Sequence, residues 1–353
     1  MDNLDIYIDL LSELIRMRPV TSDIAAVNRA QARLKQFLVE RGVFCTMESD
    51  DVGRDILFAA TVPGKEQEII LCVHTDVVPA TNESQYEPVI ENGIMYARGA
   101  GDCLGNAVTA ARILCNAPEG AKIGCIFAAN EETGGSTTRC MVEKGYKASK
   151  LGLVLDGGQE ICYGQKGILT LKLIAKGKGG HSSQPWAMDN PVIKLVNGLH
   201  ALLEKWENPK NGTDDWRASM AVTVLSAGDA VNRIPDVAEA CVNFRTVSLD
   251  EVDKIIAMVK ETTQLEVEIK GCCDPFQSPT DSDVMRELVA AYTEEFGKPV
   301  LSRMCGATDA RHLYKMGCPV YISGVRNGKA HSAGEFLDIN SIDKIVSVVM
   351  KLI

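Results

Sequence analysis

The sequence predicts an α/β fold: a doubly wound domain with a mainly parallel sheet, interrupted by an inserted ferredoxin-like α+β domain. Three observations carry this. The 353-residue chain is too long for one ordinary core, so length alone asks for about two domains. In the first half, short apolar runs at 69–73, 123–128 and 153–155 each end in polar or acidic residues, and helical stretches fall between them. From about Gly167 the order becomes β-α-β-β-α-β, and helix–strand alternation resumes after Asp274. The expected boundaries are 1–166 with 275–353 for the discontinuous outer domain and 167–274 for the insert.

Leu4, Ile8, Leu11 and Ile15 recur at helical spacing and mark a first helix that stops before Pro19. A second runs from Ser22 to a Gly42 cap, with Leu34, Phe37 and Leu38 on its inner side. A third is expected over 106–115. In the insert, Leu169, Leu171, Leu173 and Ala175 alternate as in a half-buried strand. A helix over 191–206 follows, then strands near 220–225 and 238–246. Ser248-x-x-Glu251 reads as a capping box that opens another helix. Leu265, Val267 and Ile269 alternate in the last strand of the insert. Beyond it, 282–296 reads as helix and 319–323 as strand.

The composition is that of a globular protein, with 46% hydrophobic and 24% charged residues. The net charge of −10 argues against nucleic acid or an anionic membrane as partner, because either would want a basic face. No apolar run approaches the ~18 residues of a membrane span. The opening Met1-Asp2-Asn3-Leu4-Asp5 is acidic, unlike a secretory signal. Twelve cysteines form no CxxC pair, and Cys72, Cys125 and Cys241 lie inside strand-like runs, where a reduced thiol acts as a small hydrophobe. Cytoplasmic residence is the expectation.

Five segments offer chemistry. His74-Thr75-Asp76 follows a strand directly, where ligands of open α/β sheets gather. A histidine there can bind a metal while a carboxylate holds its other nitrogen; alone, it reads as a loop histidine beside a capping aspartate. Asp102, in Gly99-Ala100-Gly101-Asp102-Cys103-Leu104-Gly105, could bridge two cations or cap a helix. In Asn130-Glu131-Glu132-Thr133, two adjacent glutamates repel unless a cation relieves them, or form a solvated acidic turn. Asp156-Gly157-Gly158 repeats the strand-end placement. Lys329-Ala330-His331-Ser332-Ala333-Gly334-Glu335 presents a histidine in a small-residue loop. Together they give two histidines and three carboxylates with one spare glutamate, a donor set suited to a carboxylate-bridged pair of Zn²⁺ ions.

In these motifs the sequence resembles the zinc aminoacylases and carboxypeptidases that include acetylornithine deacetylase and succinyl-diaminopimelate desuccinylase. The resemblance covers nearly the whole chain. It implies a zinc-binding catalytic domain and a lid or dimerisation insert, with His74, Asp102, Glu132, Asp156 and His331 as metal ligands. Asp102 would bridge the two ions, Asp76 would support His74, and Glu131 would be the general acid/base. Gly179-Gly180-His181-Ser182-Ser183 resembles the lid segment whose histidine reaches an active site, its own or a partner subunit's. Asn232 and Arg245 fall on residues that hold a substrate carboxylate, and Thr308 on the substrate-side loop Gly306-Ala307-Thr308-Asp309-Ala310-Arg311. Two departures stand beside these matches: Cys103-Leu104 where a lysine is frequent before the glycine, and Ala307 where a second glycine is usual.

The resemblance implies a hydrolase of amide or peptide bonds that uses two Zn²⁺ ions per chain, with Co²⁺ or Mn²⁺ as alternatives. The substrate would be a small amino-acid derivative, and the assembly a homodimer through the insert. In the family, aspartate at the position of Asp156 goes with aminopeptidases and dipeptidases, whereas overall length and the compact lid favour an N-acyl amino acid deacylase. A non-catalytic metal-binding homologue would have lost a ligand or the base; here the set is complete. His200 and His312 carry no motif and are expected to be structural.

Overall fold

A computed structural model describes residues 2–210 and 215–353. The chain forms two compact units, one of residues up to Gly164 with Gln277–Ser302 and Thr308–Ile353, the other of Gln165–Phe276 with Arg303–Ala307.

The core of the first unit is a sheet in which Ile123–Ala128, Glu66–His74, Lys147–Leu155 and Val320–Ser323 lie side by side and parallel. Parallel strands joined by helical crossovers are covered on both faces, so they read as continuous apolar runs, and every residue of Ile123–Ala128 is buried. An antiparallel hairpin, Phe44–Ser49 with Asp55–Ala60, extends this sheet beyond Ile123–Ala128. The helices Asp5–Arg16, Leu104–Asn116 and Asn340–Met350 contribute to one large apolar core with these strands. The second helix begins at Ile24 rather than Ser22, because the Asp23 carboxylate accepts the Ala26 N–H and makes Asp23 the N-cap.

The second unit contains an antiparallel sheet ordered Ser219–Ala227, Val237–Thr246, Gly167–Lys176, Glu266–Cys273. With the helices Pro191–Lys205 and Asp250–Thr263 between strands, this is the ferredoxin-like arrangement. Leu169, Leu171, Leu173 and Ala175 share one buried cluster with Leu195, Leu199, Leu202 and Val259 of the helices. Asn190 caps the first helix by accepting the Val192 N–H, with Pro191 in the first turn. The Ser248 capping box does not form. The helix starts at Asp250 without a side-chain cap, and Glu251 instead accepts the Val247 N–H at 2.8 Å. Three acids in its first turn (Asp250, Glu251 and Asp253) favour the dipole in place of that cap. His200 lies on the solvent face, 3.4 Å from Glu204, so burial gives it no structural part.

Candidate metal centre

The parallel strands deliver their carboxyl ends to one edge of the first unit's sheet. His74 ends its strand, Asn130–Glu132 follow Ala128 closely, and Asp156 follows Leu155. Two further loops carry Asp102 and His331. The helix Leu104–Asn116 has Cys103 at its N-cap position and no side-chain cap, so the capping alternative for Asp102 falls away. Its carboxylate is engaged elsewhere. The Asp102–Cys103 peptide is cis.

Around that carboxylate two clusters form, one on each oxygen. His74 Nε2 is 3.0 Å from Asp102 Oδ1 and 3.5 Å from Asp156 Oδ1. His331 Nε2 is 3.1 Å from Asp102 Oδ2 and 3.1 Å from Glu132 Oε2. Donors around a tetrahedral zinc, each roughly 2.0–2.2 Å from the ion, stand roughly 3.3 Å apart, so the spacing fits. Glu132 Oε1 is buried and has no hydrogen-bond partner among the described residues, a cost that a cation would remove. The donor set and this unpartnered oxygen fit a pair of divalent ions. Cys103 belongs to a second grouping with His74 and Asp156. Its thiol donates to the Leu155 carbonyl at 3.0 Å, so the sulfur is already engaged by backbone.

The electrostatics tell the same story. Burial, then Asp156, pushes the Glu131 carboxyl up to about 9, and burial pushes Glu132 up to about 7. Burial also raises Asp156. His331 rises to about 9, chiefly through its hydrogen bond to Asp102. Burial opposes charge on His74, yet Cys103, Asp156 and Asp102 hold it well above the usual histidine range. Most of these shifts favour protonation, whereas, against burial, hydrogen bonds from His331 and His74 hold Asp102 well below the usual carboxylate range, so the cluster is one that positive charge would stabilise.

Asp76 is wholly buried beneath His74. His74 Nδ1 lies 2.9 Å from the Asp76 carbonyl oxygen and 3.5 Å from its carboxylate. The Asp76 carboxylate accepts the backbone N–H groups of Glu131 and Glu132 at 3.1 and 3.4 Å, and the Thr21 hydroxyl at 2.8 Å. Asp76 therefore sets both the histidine and the glutamate loop. Sequence reasoning gave Thr21 no part, because its partner lies 55 residues away.

The segment after Thr308 holds the same loop from the other side. Arg311 donates to the Gly134 carbonyl at 2.8 Å, and His312 Nε2 lies 3.4 Å from it. Gly135 has φ +66, and a Cβ there would stand 1.9 Å from Asp309 Oδ1, so only glycine fits. His312 does prove structural. Burial, then Arg311, lowers its pKa to about 4, so it is neutral in the fold. A histidine depressed from an ordinary 6.5 contributes stability that is present above about pH 6.5 and lost as pH falls toward 4. Wild type should lose up to roughly 3 kcal/mol through this group over that window. His312→Gln should lose correspondingly less, as read by urea unfolding at neutral and acid pH. Equal acid sensitivity in both proteins would refute this.

A family model described as peptidase family M20/M25/M40 matches residues 70–353. The chain belongs to that family. A succinyl-diaminopimelate desuccinylase from Wolbachia pipientis is 26% identical over 376 residues, covering 98% of this chain and 92% of that one. The M20 metallo-carboxypeptidase Sso-CP2 of Sulfolobus solfataricus shares the fold, with TM-score 0.82, 19% identity and coverage of 100% and 98%. Aminopeptidase PepT of Bacillus cereus matches with TM-score 0.80, 18% identity and coverage of 99% and 98%. As a member of the M20 family the chain is a hydrolase of amide or peptide bonds, in a family of metalloenzymes.

The remaining residues singled out from the sequence fall in different places. Thr308 is buried in the first unit, and its Oγ1 accepts the Ala310 N–H at 3.2 Å. The other three belong to the second unit. His181 is exposed, with Nδ1 2.8 Å from the Ser183 hydroxyl. The exposed Asn232 accepts the Ser182 N–H with its backbone carbonyl at 3.0 Å. Arg245 is half-buried on the strand Val237–Thr246. Glu335 closes the His331 segment and Arg98 immediately precedes the Asp102 segment, and neither carries a role in the sequence reading. They form a buried ion pair across 237 residues of sequence, a separation no local pattern reports.

Proposed function

We propose that this M20 hydrolase holds two zinc ions between His74, Asp102, Asp156, Glu132 and His331 and cleaves the amide bond of a small N-acyl amino acid. The supporting observation is the Asp102 carboxylate, which meets His74 with one oxygen and His331 with the other. The desuccinylase relative, alike over nearly the full length, favours an acylated substrate.

Bound zinc would supply Lewis acidity toward the carbonyl and a water of lowered pKa. Glu131 takes a proton from the attacking water and returns it to the leaving amine. His181 donates to the developing oxyanion. Arg245 and Asn232 bind the substrate carboxylate, Arg245 as a fork, and Thr308 is a further substrate-binding residue. No carboxylate of a described residue pairs with Arg245, which leaves its guanidinium open to an anionic ligand. Asp76 keeps the His74 ring in its orientation.

A second reading is a metallo-dipeptidase or aminopeptidase, favoured by aspartate rather than glutamate at position 156. The test is product release by chelator-stripped, zinc-reloaded protein from N-acetyl-ornithine, N-succinyl-diaminopimelate and unblocked dipeptides, followed by mass spectrometry. Zinc-dependent turnover of an acylated substrate supports the deacylase. Turnover of free dipeptides alone replaces it with the peptidase, and no turnover with zinc bound leaves the hydrolase reading only for a substrate outside the panel and strengthens the non-catalytic rival. Within the same proposal the protein is a cytoplasmic homodimer paired through the second unit, whose edge strand Ser219–Ala227 exposes Val224 and Leu225. Sedimentation at single-chain mass at micromolar concentration would remove the dimer.

A further inference from the structure

We infer that Glu335 is a positioning residue that fixes Asp102 through its backbone, an inference that rests on Asp102 holding metal. Its two oxygens have separate tasks. Oε1 accepts the N–H groups of Gly101 and Asp102 at 3.1 and 3.0 Å. Oε2 pairs with Arg98 Nη1. Both side chains are 1% exposed. Arg98 Nε and Nη2 are buried without a hydrogen-bond partner among the described residues, so Glu335 is what balances the guanidinium charge.

The placement serves the site from three directions. Glu335 stands four positions after His331, so one short segment supplies a donor to Asp102 Oδ2 and grips the Asp102 backbone. The Gly101 carbonyl accepts from Asn327 Nδ2 at 3.3 Å, and the same amide donates to Gly157 O at 2.9 Å, next to Asp156. A Cβ at Gly101 would stand 2.8 Å from the Phe336 carbonyl, so the two loops are in close backbone contact. Glu335 and Asn327 thereby hold both polar groups of the peptide unit that aims the shared carboxylate. Residues of this outer kind tune the affinity of the ligands they orient.

If Glu335 acts by accepting N–H groups, an amide oxygen should replace it and a thioether of the same length should not. Arg98→Met/Glu335→Gln removes the buried charges and keeps one acceptor, whereas Arg98→Met/Glu335→Met removes the acceptor as well. Zinc dissociation constants and stoichiometry would be measured on metal-free proteins by competition with a chromogenic chelator, with circular dichroism as the check on folding. The Gln double variant should bind zinc within a few-fold of wild type, and the Met double variant on the order of 10–100-fold more weakly. Equal affinities in the two double variants would overturn the inference, because both lack the ion pair equally. If the Met double variant does not fold, Glu335→Gln alone decides: wild-type-like zinc affinity with a lower melting temperature supports the inference, and a loss of 10-fold or more sinks it. Failure of wild type itself to bind zinc would instead strike at the metal reading on which this one stands.

Discussion

Glu131→Gln should lower turnover by on the order of 10²–10⁴ while the two proposed zinc ions stay bound. The substitution is nearly isosteric and leaves the backbone N–H of residue 131 on Asp76 Oδ1, so the loop that carries Glu132 keeps its place. None of the five proposed ligands is altered. What disappears is a carboxylate able to take a proton and give it back. Burial and Asp156 push the Glu131 carboxyl up to about 9 in the metal-free protein, and cations at the neighbouring ligands would favour its ionised form, the one that takes the proton. Steady-state kinetics on the substrate found by the panel, with metal content measured on the same sample, is the check. Retention of most activity with two zinc ions per chain would take the proton-transfer role away from Glu131. Loss of zinc alongside activity would mean that residue 131 matters to binding rather than to proton transfer.

Arg98→Met, made alone, destabilises the protein by about 3–5 kcal/mol. The guanidinium is the partner of a carboxylate that is itself 1% exposed, and removing one member of such a pair leaves the other's charge buried and uncompensated. An exposed pair such as Lys147 with Glu66, both more than half exposed, should change stability by no more than about 1 kcal/mol when broken. The melting temperature of Arg98→Met should fall by roughly 10 °C in metal-free protein. Adding Glu335→Gln should recover part of that loss by removing the stranded charge. A shift in Arg98→Met no larger than that of Lys147→Met would show that the buried pair contributes little.

Much of this protein is legible in its sequence where the signal is local. Residues 123–128 are apolar throughout because helices cover both faces of a parallel strand, and the observed strand has those bounds. The alternation of Leu169, Leu171 and Leu173 likewise reports a sheet with one face packed on helices. Local signals fail at helix starts, where Asp23 and Ser22 compete on equal chemical terms and only the cap hydrogen bond decides. They fail more completely for the supports of the site. The proposed metal ligands announce themselves by residue type, and His74, Glu132 and Asp156 also by position at strand ends. Thr21, Arg98, Asn327 and Glu335 are ordinary residues whose partners stand tens to hundreds of positions away, and nothing in their own neighbourhoods marks them.

Those separations bear on how the molecule reaches its native state. Glu335 joins Gly101 and Asp102 across 234 and 233 residues, and Arg98 joins Glu335 across 237. Contacts of such span close large loops, whose entropy must be met before the contact returns anything, so they belong to the late part of folding. A partly folded chain can already possess the strand ends with His74, Glu132 and Asp156 and still lack the shared carboxylate in its place. Full zinc capacity should therefore appear together with the last cooperative step of refolding, and lag behind the recovery of secondary structure.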